Sequence, residues 1–252
     1  MHATRGSRRG AGASAQRMAR TIRGAERRRQ HRRARWILPF VAAAAGFAGY
    51  GASEATGRWH AGVALGAVLF VLALHRLYRT SGRSRSWRTG ARGERRTARH
   101  LAPLSWAGKG RWAILHDRQV PSSRANLDTI VLGPCGAVYV DTKAWMSQSS
   151  KVRMRDGQLW YGRFSQQRSM DTVRWEADRA AAVLNCPVRA VVAVHGAAIP
   201  PGGLHVPGNG VTVLQARELR SYLRRLPHEH GWSRRRVQVT RLKANVLLPP
   251  AS

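Results

Sequence analysis

The sequence predicts an α/β domain carried behind a pair of membrane-spanning helices, and three observations predict it. Two long apolar runs stand close together at about residues 36–53 and 60–78. Behind them come a helical segment, three β-rich runs, a second helical segment and a continuous apolar strand, in the order α, βββ, α, β. Within that series, residues 126–145 read as two apolar strands joined by a Gly-Pro-Cys-Gly turn, with acids where the strands meet polar sequence.

Charge frames the whole chain. Lys and Arg number 44 against 12 Asp and Glu, a formal charge of +32 over 252 residues. Such a chain favours polyanions: nucleic acid, or the anionic face of a membrane. Nearly all the cations are Arg, alongside abundant Ala and Gly, a bias that a GC-rich genome also produces. A hydrophobic content of 43% is ordinary for a folded protein with one good core. Cys135 and Cys186 are too few for a disulfide framework and read as free thiols of a reducing compartment. There is no Gly-x-x-x-x-Gly-Lys loop, which excludes a P-loop nucleotide motor.

Taken in order, residues 1–35 are rich in Arg, Gly, Ala and Ser, cannot bury a core, and are expected to be a disordered basic arm. The runs at 36–53 and 60–78 are each roughly 18–19 residues, the length that crosses a hydrocarbon core about 30 Å thick. Trp36, Tyr50, Trp59 and Tyr78 sit at their ends, where amphipathic rings favour the interface, and their many Ala and Gly permit close helix approach. A buried helical hairpin of a soluble protein has the same composition. Arginines precede the first run at 27–35 and follow the second at Arg76, Arg79, Arg83, Arg85 and Arg88, while the link between the runs carries only Arg58. The positive-inside rule therefore places both termini and the soluble domain in the cytoplasm, at the cell (inner, cytoplasmic) membrane. The flanking arginines also hold the chain to the lipid bilayer, at roughly 1 kcal/mol each close to an anionic surface.

Residues 79–91 read as a basic linker, and the soluble domain as 92–249. Its first helix is expected at about 93–104, with strands at 112–116, 127–132 and 137–141. The polar stretch 144–166 holds two short hairpin strands, at 152–154 and 158–161. A helix at 171–184 shows its buried stripe in Val173, Ala177, Ala180, Ala181 and Leu184. A buried strand at 188–194 follows, then a Gly/Pro-rich loop over 196–210, a strand at 211–214 and a helix at 216–226.

Asp128 opens the first strand of the hairpin and Asp141-Thr142-Lys143 closes the second, so the hairpin carries two carboxylates and an amine towards one point. Two acids can hold a divalent cation, and a lysine beside them can hold or polarise an attacking water. That is the chemistry of metal-dependent phosphodiester cleavage. Asp128 and Asp141 are the expected ligands of Mg²⁺ or Mn²⁺, with the Thr142 carbonyl as a third donor. Glu94, at a helix start, would reach the metal directly or through water; it equally suits the role of a first-turn acid on the helix dipole. Arg95, Arg96, Arg99, Arg111, Arg118 and Arg124 flank this region and are the expected phosphate contacts.

The order Gly93-Glu94, His116-Asp117, Asn126-Leu127-Asp128, Gly133-Pro134-Cys135-Gly136 and Asp141-Thr142-Lys143-Ala144-Trp145 resembles the NERD, or nuclease-related, domain of the PD-(D/E)xK superfamily. The resemblance spans about residues 92–200. It implies a restriction-endonuclease-like αβββαβ core, a divalent metal, a nuclease role on DNA or RNA and, as in many nucleases of this architecture, a homodimer. Two positions depart from the family pattern: Thr129 stands where the family usually has His, and Asp141 where it usually has Glu.

Other features carry less. Gln166, Gln167, Trp175 and Glu176, on or before the second long helix, read mostly as its solvent face. His228-Glu229-His230 reads as a solvated loop and His195 as a core or loop histidine. Most of the nine tryptophans read as packing or membrane anchors. A non-catalytic module that tethers nucleic acid to the membrane, and a surface protein whose basic arms bind only lipid, remain alternative readings of the same charge.

Overall fold

The computed structural model describes residues 11, 13–78, 82–123, 125–147 and 150–251. The chain divides into two compact units, one of residues 17–87 and one that holds residues 88–252.

The first unit is helical. Helix α1 runs Ala13–Thr56 and α2 runs Trp59–Tyr78. The stretches Ala34–Thr56 and Trp59–Leu77 are each long and apolar enough to cross a membrane. Their large side chains face outward: Trp36, Phe40, Phe47, Trp59 and Val71 are all exposed. That is not how the core helix of a soluble protein looks, where such residues would be covered. The two helices meet along glycines. A Cβ on Gly62 would run into the carbonyl of Gly49, and a Cβ on Gly49 into that of Gly62; one on Gly66 would lie 3.0 Å from the Ala45 carbonyl. Small residues thus set the backbone separation. Residues 13–35, expected as a disordered arm, continue α1 as helix. Arg, Ala and Gln are good helix formers, and the first proline of α1 is Pro39.

The second unit is a mixed sheet between helices. Helix α3 (Gly82–Ala107) begins well before the expected position, so residues 82–91, read as linker, are helical. Strands β1 (Ala113–Gln119), β2 (Asn126–Gly133) and β3 (Gly136–Trp145) form an antiparallel meander. A small second sheet follows: β4 (Val152–Arg155), β5 (Gln158–Tyr161) and β6 (Phe164–Ser165). Helix α4 (Gln167–Leu184) then crosses over to β7 (Val188–Gly196), which pairs parallel with β3. Strands β8 (Leu204–Val206) and β9 (Val211–Gln215), with helices α5 (Leu219–Arg225) and α6 (Arg234–Leu247), complete the unit. The six-stranded order is β1-β2-β3-β7-β9-β8.

Two cores sandwich this sheet. On one face Met170, Val173, Ala177 and Ala180 of α4, with Val237 and Ala244 of α6, pack on Leu132, Tyr139 and Val192. On the other, Leu101 and Leu104 of α3, with Leu219 and Leu223 of α5, pack on Val131, Val138 and Val191. The αβββαβ order of the sequence reading is thereby present. Strand β8 lies inside the stretch read as loop, and α6 lies where no element was expected.

Candidate active site

The β2–β3 hairpin positions the site. Its ladder runs from Gly133↔Gly136 at the turn to Thr129↔Val140, and there it stops. Gly136 sits at φ +92, which a side chain would strain. Beyond Thr129 the carboxylate of Asp128 takes over: its Oδ2 accepts the Thr142 N–H at 2.8 Å. Strand β3 is held on its other edge by β7 as far as Trp145↔Gly196, so Asp141 and Lys143 lie on a supported strand, opposite Val192 and Val194. The two-residue period puts Tyr139, Asp141 and Lys143 on one face.

On that face Lys143 Nζ donates to Asp141 Oδ1 at 3.0 Å. Asp141 is only 6% exposed, and its second oxygen, Oδ2, is buried without a hydrogen-bond partner. Burial pushes the Asp128 carboxyl well above its usual range. The charges of Glu94 and Asp141 push it further, against the Thr142 N–H and Lys143. Burial alone would lower the Lys143 ammonium, but Asp141 foremost, then Asp128 and Glu176, outweigh it and hold the amine protonated.

Glu176 of α4 belongs to this group. Its Oε2 accepts the Tyr139 hydroxyl at 2.8 Å. Burial raises its carboxyl to about 7, the Tyr139 bond opposes this, and the Asp141 charge adds to it. Sequence reading left Glu176 on a solvent face. The signal was its spacing, three residues after buried Val173 and four before buried Ala180, which sets an acid beside the apolar stripe. Asp128 thus feels Glu94 and Asp141, and Glu176 feels Asp141, so that four of the twelve acids of a strongly cationic chain are linked through Asp128 and Asp141 beside the Lys143 ammonium.

Helix α3 is pinned to the site by close packing. A Cβ on Gly93 would lie 3.2 Å from Thr142 Cγ2 and 3.6 Å from His195 Cδ2, so glycine lets the helix touch the sheet. The Thr142 hydroxyl donates to Thr97 Oγ1 at 3.1 Å, and Thr97 Oγ1 lies 2.9 Å from His195 Nε2. Burial, with His100 and Arg96 nearby, lowers His195 to about 4, so its imidazole is neutral and structural. On β1, His116 Nδ1 lies 2.9 Å from Thr129 Oγ1, and burial lowers His116 to about 4. The Asn126 amide donates to Asp117, whose φ of +54 distorts β1 opposite Asp128.

Among the described residues no group of three or more His, Cys, Asp or Glu side chains is drawn together as a ready metal cage. The arginines divide. Arg118 is committed to the C-terminal segment, donating to the Leu248 carbonyl at 3.2 Å and to Asn245 Oδ1 at 2.8 Å. Arg95 donates to the Ala91 carbonyl of its own helix at 3.2 Å. Arg96 and Arg99 are exposed on α3, Arg111 lies by the hairpin turn, and Arg124 is outside the described residues.

Comparison with known families matches residues 89–195 to the model of the NERD, nuclease-related domain. Searches of curated proteins and of solved structures found no match. The stretch so matched holds most of α3, the hairpin with Asp128, Asp141 and Lys143, and α4 with Glu176, and it is similar to the nuclease-related domain of the NERD family.

Proposed function

We propose that the chain is a membrane-anchored, Mg²⁺- or Mn²⁺-dependent hydrolase of phosphodiester bonds in DNA or RNA. The single observation that carries this reading is the buried, partnerless Oδ2 of Asp141 beside a second crowded carboxylate, Asp128, and a protonated Lys143. Carboxylates that repel one another in a dry place are stabilised by a cation, and hard divalent ions take such oxygens. Asp128 and Asp141 would hold the ion, with Glu94 directly or through water. A strand residue points its N–H and C=O to the same edge. The Thr142 N–H faces Asp128, so its carbonyl faces the same side and would serve as third donor. An ion that keeps several waters needs few protein ligands.

A bound dication supplies Lewis-acid polarisation of the phosphoryl group and a more acidic water. The protein's own groups do the rest. Lys143, kept as ammonium, donates from Nζ to the attacking water or to a phosphate oxygen and offsets developing charge. Asp141 Oδ1 fixes where that ammonium points. Glu176 shares the Tyr139 proton and can hold or release its own near neutral pH. The apolar helix pair, flanked by arginines, supports anchorage in the lipid bilayer with both termini cytoplasmic.

The test is cleavage of plasmid and single-stranded RNA by the full chain in detergent with Mg²⁺ or Mn²⁺. Lys143→Ala and Asp128→Ala should each lose cutting by at least about 100-fold; full activity in both would end the hydrolase reading. The absence of a three-carboxylate group among the described residues favours a second reading, a non-catalytic nucleic-acid tether. That tether would bind nucleic acid equally well in EDTA and show no heat on metal titration.

A further inference from the structure

The hairpin turn carries a second concavity, remote from the acids. Five residues of β2 separate Asp128 from Gly133, about 17 Å of strand. There, between the end of α3, the loop into β1 and helix α5, lies a cavity of about 700 Å³. It is lined by Trp106, Trp112, Lys109, Arg111, Arg220 and Arg224, with Pro134 of the turn as its floor. No acidic side chain lines it, and among the described residues none of these four cations is in an ion pair.

Trp106 stands as an exposed wall of the cavity, while Trp112 lines it from a ring that also packs on the second core. Trp106 is 60% exposed although large and apolar. Trp112 is fixed: a Cβ on Gly108 or on Gly133 would strike its indole, so two glycines make room for the ring and hold its plane. Arg220 and Arg224 stand one turn apart on α5 and so project from the same side of it. A volume of this size suits a ligand of one or two nucleotides. Rigid indole faces suit a base, and unpaired guanidinium groups suit a phosphate.

We propose that this cavity binds a nucleotide unit, base against tryptophan and phosphate against arginine, as an anchoring site separate from the acid cluster. Two sources offer that chemistry: a free nucleotide, and an unpaired nucleotide of a single strand. The proposal goes beyond the hydrolase reading and does not depend on it, because binding here needs no metal and no cleavage.

The experiment measures anisotropy of a labelled, 5′-phosphorylated ten-nucleotide single strand on the full chain in detergent with EDTA, across a salt series. Trp106, Arg220, Arg224, Arg168 and Arg179 are all exposed, so substituting them leaves the fold in place. Trp106→Ala should weaken binding roughly tenfold at unchanged salt slope. Arg220→Gln with Arg224→Gln should flatten the slope of log K against log salt by about 1.4, two contacts at about 0.7 each. Binding is read in EDTA, where no metal-dependent cleavage runs, so failure of the hydrolase reading and failure of this one are told apart. Competition by AMP at millimolar concentration assigns the site to free nucleotides, and competition by unlabelled strand alone assigns it to strands. Three results would overturn the proposal. Inorganic phosphate could compete as well as AMP, which leaves the tryptophans idle. Arg168→Gln with Arg179→Gln, on α4 across the sheet, could flatten the slope equally, which means diffuse charge. Binding could vanish when phosphatidylcholine nanodiscs are replaced by phosphatidylglycerol ones, which hands the cations to the lipid surface.

Discussion

Glu176→Gln separates a buried acid of the site from a surface one by the pH dependence of stability. Burial pushes the folded carboxyl up to about 7, against 4.5 for an unburied glutamate. A folded value above the unfolded one means that the native state holds the proton more tightly. Its contribution is therefore complete below about pH 4.5 and is lost as pH rises to 7; above that, the ionised carboxylate is a fixed burden on the folded state. With the carboxyl pushed up to about 7, that burden is under about 1 kcal/mol at pH 5 and about 3 kcal/mol at pH 8. Glutamine keeps an oxygen that can accept the Tyr139 hydroxyl and never ionises, so it removes the burden. Relative to the parent chain in EDTA, Glu176→Gln should gain about 2 kcal/mol between pH 5 and pH 8. Urea unfolding followed by tryptophan fluorescence at both pH values reads this directly. A gain below about 0.5 kcal/mol would refute the reasoning, since a solvated glutamate gives none.

Asp128→Asn removes one of the crowded carboxylates while leaving an oxygen for the Thr142 N–H. It should raise Tm in EDTA by roughly 2–4 °C for each kcal/mol of repulsion relieved. It should also abolish the stabilisation of about 2.7 kcal/mol that Mn²⁺ at 100 times its Kd confers on the parent chain; scanning calorimetry with and without Mn²⁺ tests both. Gly93→Ala sets a Cβ 3.2 Å from the Thr142 methyl and should forfeit the gain of about 1 kcal/mol that alanine brings to an unhindered helix site, read by urea midpoint; the full gain would show that α3 slides away freely. Thr129→His, which restores the residue the family usually carries, places a second imidazole against His116 in a buried space and should destabilise by about 1–3 kcal/mol. Combining it with His116→Thr should recover most of that loss, and strict additivity of the two changes would disprove the contact.

The placement of Asp128, Asp141 and Lys143 together was readable because it is local. A turn of fixed length sets the register of β2 on β3, and the period of two then puts residues 141 and 143 on one face and brings Asp128 up to β3. What sequence missed is tertiary. Glu176 reaches Tyr139 only because α4 crosses that face of the sheet, and nothing within the helix itself says which strand it will lie on. Helix α6 was overlooked because it buries so little: Val237, Thr240 and Ala244 form a narrow stripe in a strongly basic segment, too thin to stand out as a period. The basic stretch before Trp36 failed in the opposite way. Its composition lacks a core and so reads as disorder, yet arginine and alanine are good helix formers and α1 runs through it unbroken.

The two departures from the family pattern are absorbed in different ways. Thr129 is buried, and its hydroxyl meets the imidazole of His116 directly across the β1–β2 ladder, at the register position His116↔Thr129. The imidazole next to the strand acid is therefore supplied by the neighbouring strand instead of by residue 129 itself. Held neutral by burial, it is a hydrogen-bonding wall and not a charge. The exchange at residue 141 shortens the side chain by one methylene and draws its carboxylate back towards the sheet, where Lys143 takes one oxygen and the other is enclosed. A cation that binds the enclosed oxygen must compete with Lys143 for the same carboxylate. Loss of the protons that burial holds on Asp128 and Glu176 would tilt that competition, by adding negative charge next to one ammonium. On the metal-binding reading proposed above, the shorter acid would rely on its neighbours for negative charge, and α4 would supply part of it when Glu176 gives up its proton.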